Sequence, residues 1–381
     1  MTQSRSLGAF GVASTLQYTL RTYIESAYHI RNSTLISERR RLLERSGSIA
    51  QEPYVESTPS YETGRVYHEL DIPQPAKTAL TSVAHLTPPV GIFPRPYQHQ
   101  SEALEAFLGE GHDIIVATGT GSGKTESFLM PLLGALAIEG AERPQCASMP
   151  GFRALLLYPM NALVNDQLGR VRRIFGDERV ANLMRAGRGR PVRFGSYTSR
   201  TPYPGERSGV KDSQYIRPMF ESFYSTYLAP GRADDLEEFK AKGRWPSKDL
   251  VRFYAKDEEE TGTYSSGKRL GQTRTQHHWD RRLKTHSDDR ELLTRHEMQL
   301  SCPDILITNY SMLEYMLMRP IERPIFKQTQ AWLEADPRNK VILVLDEAHL
   351  YRGSGGAEVA LLIRRLMALS LIHISEPTRP Y

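Results

Sequence analysis

Residues 113–138 constrain this chain more than any other stretch. Asp113-Ile-Ile-Val-Ala-Thr118 is a short β-branched run, Gly119-Thr120-Gly121-Ser122-Gly123-Lys124-Thr125 is a glycine-rich turn, and Glu126 to Ile138 is an apolar helical stretch. A strand that feeds such a turn and then a helix builds a cradle for phosphate. Backbone N–H groups converge at the helix N-terminus, the helix dipole favours negative charge, and Gly119, Gly121 and Gly123 let the chain approach closely. Lys124 is placed to reach β- and γ-phosphates, and Thr125 to offer a hydroxyl to Mg2+. Thr118 stands where the GxxxxGK[ST] pattern has its first glycine. The expected cofactors are therefore ATP and Mg2+, held by Thr118, Gly119, Thr120, Gly121, Ser122, Gly123, Lys124 and Thr125.

The chain around this loop alternates strands and helices. Arg153 to Tyr158, Val192 to Tyr197, Asp304 to Thr308 and Val341 to Leu345 read as short strands, most of them continuously apolar at their centres. Helical patterns run over Gln98–Leu108, Asn161–Ile174, from Thr308 to Met318, and from about Gly356 to Met367. Such alternation predicts an α/β fold with a mostly parallel sheet covered by helices on both faces. Directly after the last strand comes Asp346-Glu347-Ala348-His349, at the strand end where open α/β sheets place ligands. Asp346 is expected to hold Mg2+, and Glu347 to orient and deprotonate the attacking water. With the phosphates fixed by Lys124, those roles are enough for phosphoryl transfer.

Composition narrows the class. Of 381 residues, 39% are hydrophobic and 24% charged, which excludes a chain disordered throughout. No apolar run approaches the ~18 residues of a membrane span, and the N-terminus is too polar for a signal peptide. Cys146 and Cys302 form no CxxC pair, so a reduced, cytoplasmic protein is expected. The net charge of +5 is compatible with a polyanionic partner. Three regions fall outside the alternation. Residues 1–90 read as a helical segment (15–45) followed by a Pro/Ser/Thr-rich extended arm lying on the main domain. Residues 201–300 read as an insertion, helical at Asp235–Lys242 and Asp288–Met298 and with mobile parts near 255–275, since a structureless loop of that length is implausible. Residues 369–381 read as a non-native tail: Leu369 to Arg379 resembles the translation of a transposon-based sequencing adapter, so the natural protein is expected to continue past Ala368.

From about Phe93 to Met367 the chain resembles the first RecA-like domain of superfamily 2 DEAD/DEAH-box helicases. The Thr-Gly-x-Gly-x-Gly-Lys-Thr loop is the form this superfamily uses. Phe93-Pro-Arg-Pro-Tyr-Gln-His-Gln100 resembles its Q-type motif, which implies that Gln100, or failing it Gln98, reads the adenine edge. Tyr158-Pro159-Met160-Asn161-Ala-Leu163, with Asn165 and Gln167, resembles motif Ia; Gly195-Ser-Tyr-Thr198 and Thr308-Asn309-Tyr310 resemble further backbone-gripping turns. The resemblance implies that Pro159, Asn161, Asn165, Gln167, Thr198, Thr308 and Asn309 contact nucleic acid. Asp346-Glu-Ala-His-Leu-Tyr-Arg-Gly353 is similar to the signature of bacterial MrfA/YprA-like helicases, linked to DNA repair, and of similar long proteins in phage-defence clusters. What this implies is an ATP-dependent DNA helicase or translocase, with RNA as the other candidate strand. A second RecA-like domain, supplying the opposing wall of the ATP cleft, would lie in sequence beyond this chain. Two other functions fit the same motifs: a nucleotide-binding module without turnover, and a double-strand translocase that does not separate strands.

Other constellations are more ambiguous. Arg170, Arg172, Arg173, Arg179, Arg185, Arg188, Arg190 and Arg193 face only Asp177 and Glu178 within 169–193; they suit either phosphate contact or a solvated face. His277, His278, His286 and His296 match no metal-ligand spacing, and Glu297 completes no HExxH. Trp245, Tyr254 and Trp279 are expected in the insertion's own core, and Met312, Met316 and Met318 in the main one.

Overall fold

The computed structural model describes residues 8–51, 60–119, 121–202, 205, 208–229, 231–254, 260–263, 266–267, 271, 273–276 and 283–370. Two compact units divide at Ser60/Tyr61. The first carries α1 (Ala9–Ala27) and α2 (Ser33–Leu43). Asn32 caps α2, its Oδ1 accepting from the N–H groups of Thr34 and Leu35 at 2.9 and 3.2 Å. Arg40 clasps Glu25 through two hydrogen bonds of 2.9 and 3.0 Å, tying the two helices together.

The second unit begins before the expected domain start near residue 91. Tyr67, Leu70 and Ile72, then α3 (Gln74–Ala84) with Ala76, Leu80 and Val83, bury into the main core. The period of apolar residues in α3 puts one full face against its neighbours. Beyond it lie α4 (Gln98–Leu104), α5 (Glu126–Glu142) and the short α6 (Pro144–Ala147). The sheet strands follow: β1 (Ala154–Tyr158), then α7 (Asn161–Phe175) and α8 (Glu178–Arg188), then β2 (Phe194–Tyr197). The inserted region holds α9 (Gly209–Met219), α10 (Ser225–Leu228), α11 (Ala233–Ala241), α12 (Leu250–Phe253) and an antiparallel hairpin of β3 (Glu260–Thr263) and β4 (Thr273–Gln276). The chain then returns to the sheet through β5 (Glu291–Leu292), α13 (Arg295–Leu300), β6 (Ile305–Asn309), α14 (Tyr310–Met318), α15 (Arg323–Ala335), β7 (Ile342–Leu345) and α16 (Gly353–Ser370).

The main sheet has the order β5-β2-β6-β1-β7, and every pairing is parallel. Its faces alternate residue by residue. Ala154, Leu156, Tyr158, Ile305 and Ile307 point into one core, while Leu155, Leu157 and Leu306 point into the other. This is the α/β architecture the apolar runs predict, because a strand buried on both faces needs apolar side chains in both directions.

One expected strand is absent. Asp113–Thr118 is irregular, and Ile115 is 97% exposed. A β-branched run becomes a strand only where a ladder partner receives it. Here β7 ends the sheet, and no described strand pairs with its outer edge. Asp288–Met298 also departs from its expected helix. It splits into β5 and α13 because Thr294 caps α13 in a reciprocal box: Thr294 Oγ1 accepts from the Glu297 N–H at 3.4 Å, and Glu297 Oε2 accepts from the Thr294 N–H at 3.1 Å. Trp245 and Tyr254 are buried within the insertion. Trp279, His277, His278, residues 255–259 and the tail from 371 onward lie outside the described residues. Met312 and Met316 are buried, but Met318, at the end of α14, is exposed. No described helix is long and apolar enough to cross a membrane, and both cysteines are free and buried.

Candidate functional site

The phosphate loop connects residue 118 to α5. Gly121 and Gly123 adopt φ of +77° and +76°, a region costly for side-chain-bearing residues, and a Cβ on Gly123 would also meet Gln100 Nε2 at 2.5 Å. Thr118 Oγ1 and Ser122 Oγ share a hydrogen bond of 2.7 Å that braces the turn. Ser122 and Thr125 are buried, and Lys124 is exposed. Thr120 lies outside the described residues. The Ser127 N–H donates to the carbonyls of Gly123 and Lys124, which starts α5.

Asp346 follows β7 on the same rim. Its N–H donates to Leu157 O at 3.3 Å, continuing the ladder in which Leu157 pairs with Leu345. Burial pushes the Asp346 carboxyl up from the usual range. The charge of Glu347 adds to that, while the Glu347 N–H bonded to Oδ1 at 2.9 Å, Lys124 and Arg170 oppose it. Lys124 and Asp346 are thus close enough to feel each other's charge, although far apart in sequence. Glu347 has φ of +51°. A side-chain-bearing residue held in the left-handed region stores about 1–3 kcal/mol, a cost found where a site needs one orientation. Its Oε2 lies 3.2 Å from His349 Nδ1.

Gln100 is placed beside the loop, but its amide is already engaged. Oε1 accepts from the Tyr97 N–H at 2.9 Å, and Nε2 donates to Gly123 O at 3.0 Å. The side chain therefore ties the start of α4 to the phosphate loop. Gln98 is exposed and donates to Glu102. Beside them, Tyr97 stacks on His99 with centroids 5.8 Å apart, and Tyr61 sits edge-on to His99. Nothing in the spacing of these rings marks them in the sequence.

The residues expected to grip nucleic acid come together at the C-terminal ends of β1, β2 and β6. Asn309 Nδ2 donates to Asn161 Oδ1 at 2.6 Å, and Asn161 Nδ2 donates to Ser199 Oγ at 3.2 Å. Asn165 is exposed and Pro159 half-buried. Three others are turned inward. The Thr308 hydroxyl donates to Tyr197 O at 2.6 Å, Thr198 is 4% exposed and its carbonyl accepts from Arg295 at 2.8 Å, and Gln167 is 7% exposed. Thr308 and Thr198 shape the turns instead of presenting polar atoms to a ligand, while Gln167 lies inside α7 with its Oε1 buried and unpaired among the described residues. Ser199, Arg200 and Met160 are exposed on this rim and were not singled out in the sequence.

The arginine stretch fits neither of its two expected roles in full. Arg188 is 1% exposed and bonds Glu139 at 2.6 Å and Asp304 at 2.8 Å; Arg190 bonds Asp304 at 2.6 and 2.9 Å. Arg172 is bidentate to Glu291 at 2.7 and 2.9 Å, Arg179 pairs with Asp177 at 2.8 Å, and Arg170 reaches Glu126 at 3.3 Å. For Arg172, Arg188 and Arg190 the reason is tertiary: acids from distant segments meet these guanidiniums in the interior, where burial demands a partner, whereas Asp177 is a local partner of Arg179 at the surface.

Residues 97–193, spanning α4, the phosphate loop, β1 and α7, match the model of the DEAD/DEAH box helicase family. The chain carries a DEAD/DEAH box helicase domain. It is 58% identical over 364 residues to Druantia protein DruE of Escherichia coli (strain UMEA 4076-1), covering 95% of this chain and 20% of that relative. It is 36% identical over 87 residues to ATP-dependent RNA helicase DBP7 of Meyerozyma guilliermondii, covering 23% of this chain and 11% of that protein. The chain thus spans about a fifth of the length of the Druantia relative.

Proposed function

We propose that this helicase domain is the ATP-binding half of a DNA motor that serves phage defence. The observations that carry the reading are the two left-handed glycines of the loop before α5 and the place of Asp346 at the end of β7, where the charge of Lys124 reaches it. The residues fit a magnesium nucleotide: two left-handed glycines open the loop, Thr125 lies at the N-terminus of α5, and Asp346 is near enough to Lys124 for its charge to hold the carboxyl down. With nucleotide bound, Lys124 would hold the β- and γ-phosphates, Thr125 and Asp346 would hold Mg2+, and Glu347 would take a proton from the attacking water. Bound Mg2+ supplies charge neutralisation at the phosphates. The rim formed by Asn161, Asn309, Ser199 and Asn165 tracks the strand backbone. The likeness to a Druantia protein supports the defence setting, and the signature from Asp346 to Gly353 supports DNA. The shorter likeness to an ATP-dependent RNA helicase supports dependence on ATP and makes RNA the alternative strand. A second RecA-like domain beyond this chain completes the cleft.

The test is Lys124→Ala in this chain, measured by equilibrium binding of a fluorescent ATP analogue. A hydrogen bond to a charged group contributes about 1.5–3 kcal/mol, so affinity should fall at least about tenfold. Unchanged affinity would sink the assignment. Strand displacement by the longer protein on matched DNA and RNA duplexes then decides the substrate; displacement of neither, with ATP turnover intact, favours the double-strand translocase.

A further inference from the structure

The turn after β2 carries part of the exposed rim, and a buried arginine from the far end of the insertion spans it. Arg295, the first residue of α13, is 4% exposed. Its guanidinium donates to Thr198 O at 2.8 Å and lies 5.2 Å from the centroid of the Tyr197 ring, and its N–H donates to Pro202 O at 3.1 Å. Both ends of the turn are thus tied to one residue. Inside the turn, the Thr201 hydroxyl donates to Ser196 O at 2.6 Å and accepts from the Thr198 N–H at 2.9 Å. Between these fixed points Ser199 and Arg200 are exposed, and Ser199 Oγ accepts from Asn161, which Asn309 bonds in turn.

Arg295 is itself held from within the insertion. Glu297, whose box with Thr294 starts α13, also accepts from Lys248 Nζ and from the Thr285 hydroxyl, each at 2.8 Å. The Lys248 side chain is fully buried; it donates to Asp289 at 2.6 Å and lies 4.5 Å from the Phe253 ring centroid. A buried ammonium between two carboxylates leaves the start of α13 one place to sit, because moving it would strand charge in a dry interior. Arg295 is not there for stability alone. Its Nε is buried with no partner among the described residues, a cost that an apolar side chain would avoid and that calls for an explanation. The shape of the Thr198–Pro202 turn supplies one.

We propose that Arg295 is a positioning residue for nucleic acid: it fixes the turn so that Ser199, Arg200 and Asn161 stand preformed for a strand backbone, and Lys248 makes the insertion the element that holds Arg295 in place. The inference rests on the role given to the rim above. A preformed rim spends no binding energy on ordering its own turn.

The experiment follows fluorescein-labelled oligothymidylate binding to the 381-residue chain by anisotropy, with affinity for a fluorescent ATP analogue measured beside it. Arg295→Met should weaken oligonucleotide binding about tenfold or more, the scale of one hydrogen bond from a charged donor, and leave ATP-analogue affinity unchanged. Because Arg295 acts through the rim, the same substitution should cost much less in a chain already carrying Asn161→Ala and Arg200→Ala. Wild-type oligonucleotide affinity in Arg295→Met, or an undiminished loss in the rim-deleted chain, overturns the inference. If Arg295→Met loses ATP-analogue binding as well, Thr201→Val decides: it removes the inner brace of the turn, and wild-type oligonucleotide affinity there overturns the inference, whereas a loss confined to the oligonucleotide supports it. If the unsubstituted chain binds no oligothymidylate, or the rim-deleted chain binds it as tightly as wild type, the reading of the rim fails; if rim deletion weakens binding while Arg295→Met does not, only the Arg295 inference fails.

Discussion

Replacing Asp304 by Asn tests the interior most sharply. Asp304 and Glu139 face Arg153, Arg188 and Arg190, so three guanidiniums already oppose two carboxylates in a dry interior. Asp304 also accepts from the Arg193 N–H at 2.8 Å, and Trp332 Nε1 donates to Glu139 at 2.7 Å. Burial alone would push the Asp304 carboxyl up, but Arg190, Arg188 and Arg153 together hold it well below the usual carboxylate range. Asparagine keeps the shape, removes the charge and turns a donor toward guanidiniums that also donate. Breaking a buried pair from one side costs about 3–5 kcal/mol. At roughly 2–4 °C per kcal/mol for a domain of about this size, the melting temperature should fall by about 6–20 °C. Thermal unfolding followed by tryptophan fluorescence measures that fall, and urea unfolding measures the free energy. The Asp304 carboxyl is depressed, so its contribution is complete above the unfolded value near 3.9 and is lost as pH falls toward the folded value. The gap between wild type and Asp304→Asn should therefore be constant from pH 7 to 5 and close below pH 4. Adding Arg190→Gln should return part of the loss. A destabilisation under about 1 kcal/mol, or one insensitive to acid, would refute the argument that the cluster is an interdependent ionic core.

Glu347→Gln should keep nucleotide affinity and lower hydrolysis by the longer protein about 10²–10⁴-fold, the usual contribution of a general base; normal turnover places the base elsewhere. Asp346→Asn should raise the melting temperature of the nucleotide-free chain at pH 7 in EDTA. The Asp346 carboxyl is raised, so its cost is absent below the unfolded range and complete only above the folded one; the gain must therefore vanish in acid.

Four of the five strands of the main sheet were legible, within a residue or two, because continuous runs such as Ala-Leu-Leu-Leu-Tyr158 have no other soluble use at that length. β5 was not legible. It is two residues long and carries Glu291, whose charge makes sense only once Arg172 of α7 is found to bind it. The loop and acid motif were readable because phosphate chemistry dictates their local order. The fate of the arginines was not, because Glu139 and Asp304 lie on separate elements and local charge counting never sees them. Gln100 is intermediate: the sequence places it at the site, and only the bonds to Tyr97 and Gly123 show what its amide holds.

The outer edge of β7, which no described strand pairs, sets a rule for handling this molecule. An edge strand's unpaired N–H and C=O groups are a template for any extended segment, and Ile115 lies exposed on the irregular run before the phosphate loop. Asp346 stands at the tip of that same strand. Strand addition between neighbouring molecules would grow from that edge, so dilution, and a cover over the edge, should keep this molecule in solution.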